Sequence, residues 1–224
     1  MEARGSWRAM RGRTPEAIGE DELAALVAAH RDAVVDLGTG DGRFVLREAR
    51  ARPEALVVGV EPLAEAVAAS ASRAARRPER GGAPNALFLL TSVERLPEAL
   101  AGAASLVTVS FPWGSLLRAV GRPDPDVLAS VVRLLAPGGR LVAHLNLSAA
   151  SDPDYAERLD LPPLDAEHVE GRLAPGWRGA GLERVEWREL APGEAPRHRT
   201  TWGQRLVRGS ERATLLVEGA RPPR

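Results

Sequence analysis

The sequence predicts an α/β fold, with a doubly wound, mostly parallel sheet and helices on both of its faces. Three observations predict it. Short apolar runs alternate with helix-like segments along most of the 224 residues, a glycine-rich turn follows the first buried run, and the length suits one domain better than two. Repeated βα units of this size imply parallel strands joined by right-handed crossovers.

The individual elements follow from apolar runs, turn residues and charges at helix ends. A helix is predicted over about 20–30 because acids fill its first turn, where they suit the helix dipole. Short apolar runs predict strands at 33–37, 56–60, 86–90, 106–110, 141–145, 182–190 and 213–218. Further helices are predicted at about 43–51, 64–77, 126–135 and 165–178, and Pro137-Gly138-Gly139 predicts a tight turn before the fifth strand.

Composition excludes several kinds of chemistry. All 30 basic residues are arginine, which removes lysine bases and Schiff bases, and they balance 30 acids. The absence of cysteine excludes disulfides, thiolate nucleophiles and cysteine-based zinc sites, and it fits a reducing cytoplasm. Neither an apolar leader segment nor a membrane span is recognisable. We expect a cytoplasmic protein, a monomer, with no metal and no membrane contact.

Residues 1–18 are rich in arginine and glycine and lack clear periodicity. They predict an amino-terminal arm or a small hairpin that precedes the core. The remaining residues, 19–224, are predicted to form a single domain.

A glycine turn and an acid mark a ligand site at the carboxyl ends of the strands. The turn has the spacing Gly38-x-Gly40-x-Gly42, which by itself is equally compatible with a purely structural left-handed turn. Glu61 ends the second strand, where an acid can accept both hydroxyls of a ribose. The alternative for Glu61 alone is a solvated loop acid. A dinucleotide site is the weaker match, because its glycine spacing differs.

Together with Asp36 before the turn, Glu94 beyond the third strand and the Pro137-Gly138-Gly139 turn, these residues resemble the class I S-adenosylmethionine-dependent methyltransferases. The resemblance implies S-adenosyl-L-methionine as cofactor and S-adenosyl-L-homocysteine as product. This cofactor has no phosphate, so it needs acids for its amino group and ribose and does not need a phosphate-binding loop.

Two tryptophans lie in predicted loops. Trp113 follows the fourth strand, and Trp202 lies in the connection between the last two strands; each is followed by glycine. A tryptophan more often packs in a core, but this loop context favours a functional role. An enzyme that modifies a base must hold it outside the stack between aromatic or apolar faces, and two indoles from separate loops could form that clamp.

The sequence also resembles a narrower family within this class. Four segments carry the resemblance: Phe-Pro-Trp-Gly-Ser-Leu-Leu, the downstream Thr-Trp pair, the Gly-Thr-Gly-Asp-Gly turn and Glu-Arg-Leu-Pro at 94–97. The family comprises the aminoglycoside-resistance methyltransferases that modify N1 of adenine 1408 in 16S rRNA, which confer kanamycin and apramycin resistance. The resemblance implies that Trp113 and Trp202 sandwich the flipped adenine while the Pro112 carbonyl orients its amino group. It also implies RNA-binding insertions at about 148–170 and 191–212. Implied cofactor-binding residues are Asp36, Gly38, Thr39, Gly40, Glu61, Val93, Glu94, Ser110, Phe111, Pro112, Trp113, Gly114, Ser115, Thr200, Thr201 and Trp202.

Arginines cluster in two places that the resemblance assigns to the small ribosomal subunit: Arg73, Arg76 and Arg77, and Arg205, Arg208 and Arg212. Guanidinium groups suit phosphates, although a solvated face is the plainer interpretation of either cluster. We therefore expect methyl transfer to adenine 1408 of 16S rRNA, giving aminoglycoside resistance. The alternatives are a class I methyltransferase of a small molecule and a cofactor-binding homologue with weak or no rRNA activity.

Overall fold

A central sheet organises the fold. The structure, a computed structural model, describes residues 6–147, 153–191, 194 and 213–223, and within them the sheet has nine strands. These are β1 (Ser6–Arg11), β2 (Thr14–Gly19), β3 (Asp32–Leu37), β4 (Ala55–Val60), β5 (Ala86–Leu89), β6 (Ala104–Ser110), β7 (Leu135–Asn146), β8 (Glu183–Leu190) and β9 (Thr214–Ala220). Their order across the sheet is β2-β1-β5-β4-β3-β6-β7-β9-β8.

The strands β3 to β7 pair in parallel, and antiparallel pairs join β1 to β2 and β5, and β9 to β7 and β8. The chain builds β3, β4 and β5 outward in one direction and then returns to place β6 and β7 on the other side of β3. A doubly wound sheet binds its ligand at such a switch point, outside the carboxyl ends of the strands. The predicted fold class is confirmed.

Helices cover both faces of the sheet. They are α1 (Glu20–Ala28), α2 (Arg43–Ala51), α3 (Ala64–Ala74), α4 (Gly114–Gly121), α5 (Pro125–Leu134), α6 (Pro153–Leu159), α7 (Ala166–His168) and α8 (Ala174–Gly179). A π-helical turn, Val169–Leu173, joins α7 to α8, and 3₁₀ turns lie at Pro78–Arg80, Val93–Arg95 and Glu98–Leu100. None of the helices in the described ranges has the length and apolar character needed to span a membrane.

The core forms two apolar layers because both faces of the parallel strands are buried. In β3, Val35 packs into the cluster that contains Trp177 of α8, whereas Val34 packs with Phe44 of α2 and Val67 of α3. Successive side chains of a strand point to opposite faces, so a continuous apolar run serves both layers. This is why short uninterrupted apolar runs identified these strands correctly.

Residues 6–19 form a hairpin. Its strand β1 continues the main sheet through the pairing of Ala9 with Leu89 of β5, so the hairpin extends the sheet at one edge. At the other end of its strands, Gly12 in the hairpin turn approaches Ala75, directly after α3.

Two predicted boundaries were wrong for identifiable reasons. The helix predicted over 64–77 ends at Ala74, and Arg77 is extended because it precedes Pro78. Pro137-Gly138-Gly139 lies inside β7. From the pair Ala104–Leu135 to the pair Leu106–Arg140, β6 advances by two residues and β7 by five. Gly138 has a φ of +76°, so this segment forms a bulge in the strand and not a separate turn before it.

Candidate active site

A cleft of about 550 Å³ opens at the switch point, beside the carboxyl ends of β3, β4, β5 and β6. Its volume lies within the range of small-molecule sites. Twelve of the predicted cofactor-binding residues lie on its wall: Asp36, Gly38, Thr39, Gly40, Glu61, Val93, Glu94, Ser110, Phe111, Pro112, Trp113 and Ser115.

The glycine turn after β3 forms the floor of this cleft. Gly38, Gly40 and Gly42 all have positive φ, between 58° and 69°, which other residues adopt only with strain. The Gly38 N–H donates to the Val60 carbonyl oxygen at 2.9 Å, which ties the turn to the end of β4. A Cβ on Gly40 would meet no atom within 4 Å, whereas one on Gly42 would lie 2.6 Å from the Phe88 ring. Gly40 therefore leaves room for a ligand, and Gly42 permits close packing.

Glu61 is held beside this turn by two backbone donors. The Gly40 N–H donates to Oε2 at 3.2 Å, and the Leu63 N–H donates to Oε1 at 3.3 Å. Burial raises the pKa of the Glu61 carboxyl, although these two hydrogen bonds act in the opposite direction. Each carboxylate oxygen can accept more than one hydrogen bond, so Glu61 keeps acceptor capacity for hydroxyls placed in the cleft.

Asp36 lies deeper, next to the last residue of β3, and is only 3% exposed. The Thr108 hydroxyl of the neighbouring strand β6 donates to its Oδ1 at 2.6 Å. Burial raises the pKa of Asp36 to about 6, and the Thr108 hydrogen bond opposes that rise. A positive charge in the cleft would stabilise the ionised form of this carboxyl.

The segment after β6 forms the upper wall. Phe111 has a φ of +52°, an unusual conformation for a residue with a side chain, and its N–H donates to the His144 carbonyl oxygen at 2.8 Å. The Phe111 ring stacks on the His144 ring with centroids 6.1 Å apart. This turn directs the chain away from the sheet, so that Trp113 reaches the mouth of the cleft with 41% of its surface exposed.

The structure separates one predicted residue from the rest. Gly114 is not on the wall of the cleft; it begins α4, and its N–H donates to the Tyr155 hydroxyl oxygen at 3.0 Å. Thr200, Thr201 and Trp202 lie outside the described residues, as do Arg205, Arg208 and Arg212. Of the remaining residues predicted to bind RNA, Arg73 lies in the last turn of α3, and Arg76 and Arg77 follow just beyond its end. All three are exposed, and none forms an ion pair with a described residue.

Sequence reasoning missed several wall residues. Thr91 and Ser92 lie just beyond the end of β5, so the rule that ligands bind beyond strand ends could have found them. Asp41 lies within the glycine turn itself. Leu63 and Leu116 also line the cleft, but apolar residues after a strand carry no sequence signal of their own.

The cleft is acidic. Asp36, Asp41, Glu61 and Glu94 line it, and no arginine is on the part of its wall formed by described residues. Acids attract a cationic ligand such as S-adenosylmethionine, which carries a sulfonium and an ammonium group, and they repel the pyrophosphate of a dinucleotide. No group of three metal-ligating side chains occurs among the residues that the structure describes.

A doubly wound sheet with an acidic cleft at its switch point, suited to a cationic ligand, defines the class I S-adenosylmethionine-dependent methyltransferases. Within that class, the family model described as NpmA, 16S rRNA (adenine(1408)-N(1))-methyltransferase, matches residues 8–221. The chain therefore belongs to the 16S rRNA (adenine(1408)-N(1))-methyltransferase family, as its sequence motifs indicated.

Individual relatives are similar to this chain over nearly its whole length. A 16S rRNA (adenine(1408)-N(1))-methyltransferase of Streptoalloteichus tenebrarius is 34% identical over 208 residues, 92% of this chain and 94% of that protein. The antibiotic-resistance methyltransferase Kmr superposes with a TM-score of 0.78 at 40% identity and covers 97% of this chain and 99% of its own. A point mutant of the Catenulisporales acidiphilia enzyme, solved with the cosubstrate SAM, has a TM-score of 0.84 at 33% identity over 96% of this chain and 97% of its own.

Proposed function

We propose that this protein transfers a methyl group from S-adenosylmethionine to N1 of adenine 1408 in the 16S rRNA of the small ribosomal subunit, and that its expression confers aminoglycoside resistance. The observation that carries the proposal is the half-exposed indole of Trp113 at the mouth of an acidic cleft. The cleft suits a cationic methyl donor, and the indole offers a flat face to a base.

Residues on the cleft wall would hold the cofactor. Glu61 is oriented by two backbone N–H groups and can accept from ribose hydroxyls, and Gly40 leaves space for close approach of the ligand. Asp36 and the other acids favour a positively charged ligand. When bound, S-adenosylmethionine would supply an electrophilic methyl group: the adenine N1 lone pair would form the new bond to the methyl carbon, and the carbon–sulfur electron pair would stay on sulfur, giving S-adenosylhomocysteine.

The chain's own residues need move no proton in this reaction, since N1 already carries a lone pair. Their task is to align the base, and alignment alone can supply a large part of the rate. Trp113 would stack on the flipped adenine from one side and Trp202 from the other, while the Pro112 carbonyl accepts from the exocyclic amino group. Methylation at N1 makes the adenine cationic, and an indole face stabilises a cation as well as a neutral base.

Docking on the ribosome would use arginines away from the cleft. Arg73, Arg76 and Arg77 project from the end of α3 without described acidic partners, which suits contact with phosphates. We assign the same role to Arg205, Arg208 and Arg212 and to the segments at about 148–170 and 191–212. In the first of these segments Asp160 forms an ion pair with Arg122, which offsets the repulsion between this acid and RNA phosphates.

The described cleft and the α3 arginines belong to one chain, so we propose that a monomer is sufficient. We place it in the cytoplasm, where small ribosomal subunits are found.

Purified small subunits incubated with labelled cofactor, followed by mapping of the modified nucleotide, test the function. We expect methylation at N1 of adenine 1408. Trp113→Ala should lower the rate about 5- to 150-fold, the factor for loss of one stacked base contact, while cofactor affinity changes little. The matched control Trp113→Phe keeps a ring and should retain more activity.

The alternatives give different results in the same assay. A small-molecule methyltransferase would leave the subunits unlabelled and would methylate in their absence. A non-enzymatic homologue would bind the cofactor and transfer nothing. Wild-type turnover by Trp113→Ala on subunits would exclude the base clamp.

A further inference from the structure

The geometry points to Tyr155 as a positioning residue for Trp113, through which α6 fixes the direction of the base-clamping indole. The inference rests on the proposed role of Trp113. Tyr155 lies on α6 and contacts the Trp113 segment in two ways. Its hydroxyl oxygen accepts from the Gly114 N–H at 3.0 Å, and its ring meets the Trp113 ring edge-on, with centroids 5.2 Å apart and an interplanar angle of 61°.

The hydrogen bond from Gly114 to Tyr155 satisfies a backbone N–H that has no acceptor within its own helix. The first N–H groups of a helix have no acceptor within it, and Gly114 is the first residue of α4. Trp113 stands at the N-cap position, and no side chain near it in sequence caps the helix. The Tyr155 hydroxyl supplies the missing acceptor from a different helix. It thereby fixes the point where the extended chain at Trp113 turns into α4.

Backbone geometry makes this point sensitive. Gly114 has a φ of +56°, so the chain changes from extended at Trp113 to left-handed at Gly114, the first residue of α4. Small rotations at such a junction swing the preceding side chain through a large arc. A hydrogen bond to the Gly114 N–H restrains those rotations and therefore the direction of the indole.

The ring contact restrains Trp113 itself. Edge-to-face packing is a favoured arrangement of two aromatic rings, and it leaves Trp113 41% exposed. Tyr155 thus restrains the indole without burying it. The Arg158 guanidinium lies 5.6 Å from the centroid of the Tyr155 ring, so a second neighbour on α6 helps to hold that ring in place.

Tyr155 is the only tyrosine in the chain, so tyrosine labelled with ¹³C in the ring reports on it alone. We expect Trp113→Ala to shift the Tyr155 ring signals, because the indole ring current is removed, and Glu183→Asp in β8 to leave them in place. This measurement needs no substrate. Unshifted signals in Trp113→Ala would overturn the inference even if the proposed function holds.

Kinetics on small subunits test the consequence. Tyr155→Phe removes only the hydroxyl and should lower kcat about fivefold, the factor for one lost hydrogen bond. Tyr155→Leu also removes the ring and should lower kcat further, about 30-fold, since an aromatic pair contributes an effect of similar size. The KM for subunits and the affinity for the cofactor should stay within about twofold, because the Tyr155 hydroxyl and ring contact Gly114 and Trp113 and so act on alignment of the base, whereas docking would use other residues of the segment 148–170. Glu183→Asp, an exposed position of β8 outside the segments assigned to RNA, should match the wild type.

A double variant separates positioning from general support of the fold. If Tyr155 acts through Trp113, adding Tyr155→Phe to Trp113→Ala should lower kcat no further. The same fivefold loss in both backgrounds, or an unchanged kcat in Tyr155→Phe alone, would refute the positioning role. A wild-type protein inactive on subunits would instead refute the proposed function, and the tyrosine signals would still decide whether the contact exists.

Discussion

Replacing Asp36 with asparagine should make the free protein more stable at neutral pH and, at the same time, a poorer methyltransferase. Asp36 is 3% exposed, and its carboxyl has a pKa of about 6 against an ordinary value of 3.8, chiefly because of burial. The folded state therefore favours the protonated acid. Above pH 6 the fold must contain a buried carboxylate, and its stability falls as the pH rises from about 4 to 6.

The size of the effect follows from the pKa. A rise from 3.8 to about 6 corresponds to about 3 kcal/mol of lost unfolding free energy at pH 7.5. An amide avoids this loss, and its oxygen can still accept from the Thr108 hydroxyl. Asp36→Asn should gain up to about 3 kcal/mol at pH 7.5, or roughly 6–12 °C in melting temperature for a chain of this size. Near pH 4 the gain should shrink below about 1 kcal/mol, because the wild-type carboxyl is then protonated.

Urea denaturation of both proteins at several pH values between about 4 and 7.5 measures this difference. His144 complicates either protein alone, since burial lowers its pKa to about 4 and makes stability rise with pH over the same interval. The difference between variants at each pH cancels that contribution. Thr108→Val is a control in which the opposite change in stability is expected, because it removes the hydrogen bond that favours the Asp36 carboxylate. This variant should lose more unfolding free energy at high pH than at low pH.

A gain that is the same at every pH would show that a buried charge is not its origin. A loss of stability at neutral pH would show that the Asp36 carboxylate is stabilised in the free protein by interactions stronger than the Thr108 hydrogen bond. If the gain does not depend on pH, ionisation of Asp36 does not lower the free energy of unfolding. The expected outcome, higher stability with weaker cofactor binding, is the usual sign of a residue retained for function.

Three further predictions concern the cleft and the RNA surface. Glu61→Ala should weaken cofactor binding by about 1.5–3 kcal/mol in calorimetry, the range for a hydrogen bond to a charged group, and equal affinity would remove the ribose assignment. Gly42→Ala should cost about 2 kcal/mol or more of unfolding free energy in urea denaturation, through its positive φ and an aromatic ring 2.6 Å from the new Cβ; Gly40→Ala, with open space around it, should cost less. Binding to small subunits at several salt concentrations should lose about two units of log–log slope, with cofactor affinity unchanged, in the triple alanine variant of Arg73, Arg76 and Arg77.

The fold was predictable where local sequence decides the structure. The runs at 33–37 and 56–60 are almost wholly apolar because both faces of β3 and β4 are buried, and the glycine turn has few alternative conformations. The helix α4 was missed because Pro112 and Gly114 indicate a turn. Only the packed structure shows that Leu116 of this helix lies against the position of Gly38.

In the candidate site, too, some residues could be predicted from local sequence and others could not. The rule that ligands lie beyond strand ends located Asp36 and Glu61 from the sequence alone. The contact of Tyr155 with Gly114 joins residues 41 positions apart, on helices whose packing no local pattern specifies. Strand ends are set by local hydrophobicity, whereas the angle between two helices is set by the side chains that meet there.

Under the proposed function, the acids of the cleft and the arginines at the end of α3 serve two opposite requirements that the fold separates in space. A cationic cofactor needs acids, and RNA needs arginines. The helix α3 connects the two regions, since Ala66 in its first turn lines the cleft and Arg73 lies in its last turn. At about 1.5 Å per residue, these positions are roughly 10 Å apart along the helix axis, beyond the Debye length of about 8 Å at physiological salt. For the solvent-exposed charges, salt therefore weakens the field of one region at the other, which would let Arg73 attract phosphates with a reduced effect on the attraction of the cleft for a cation.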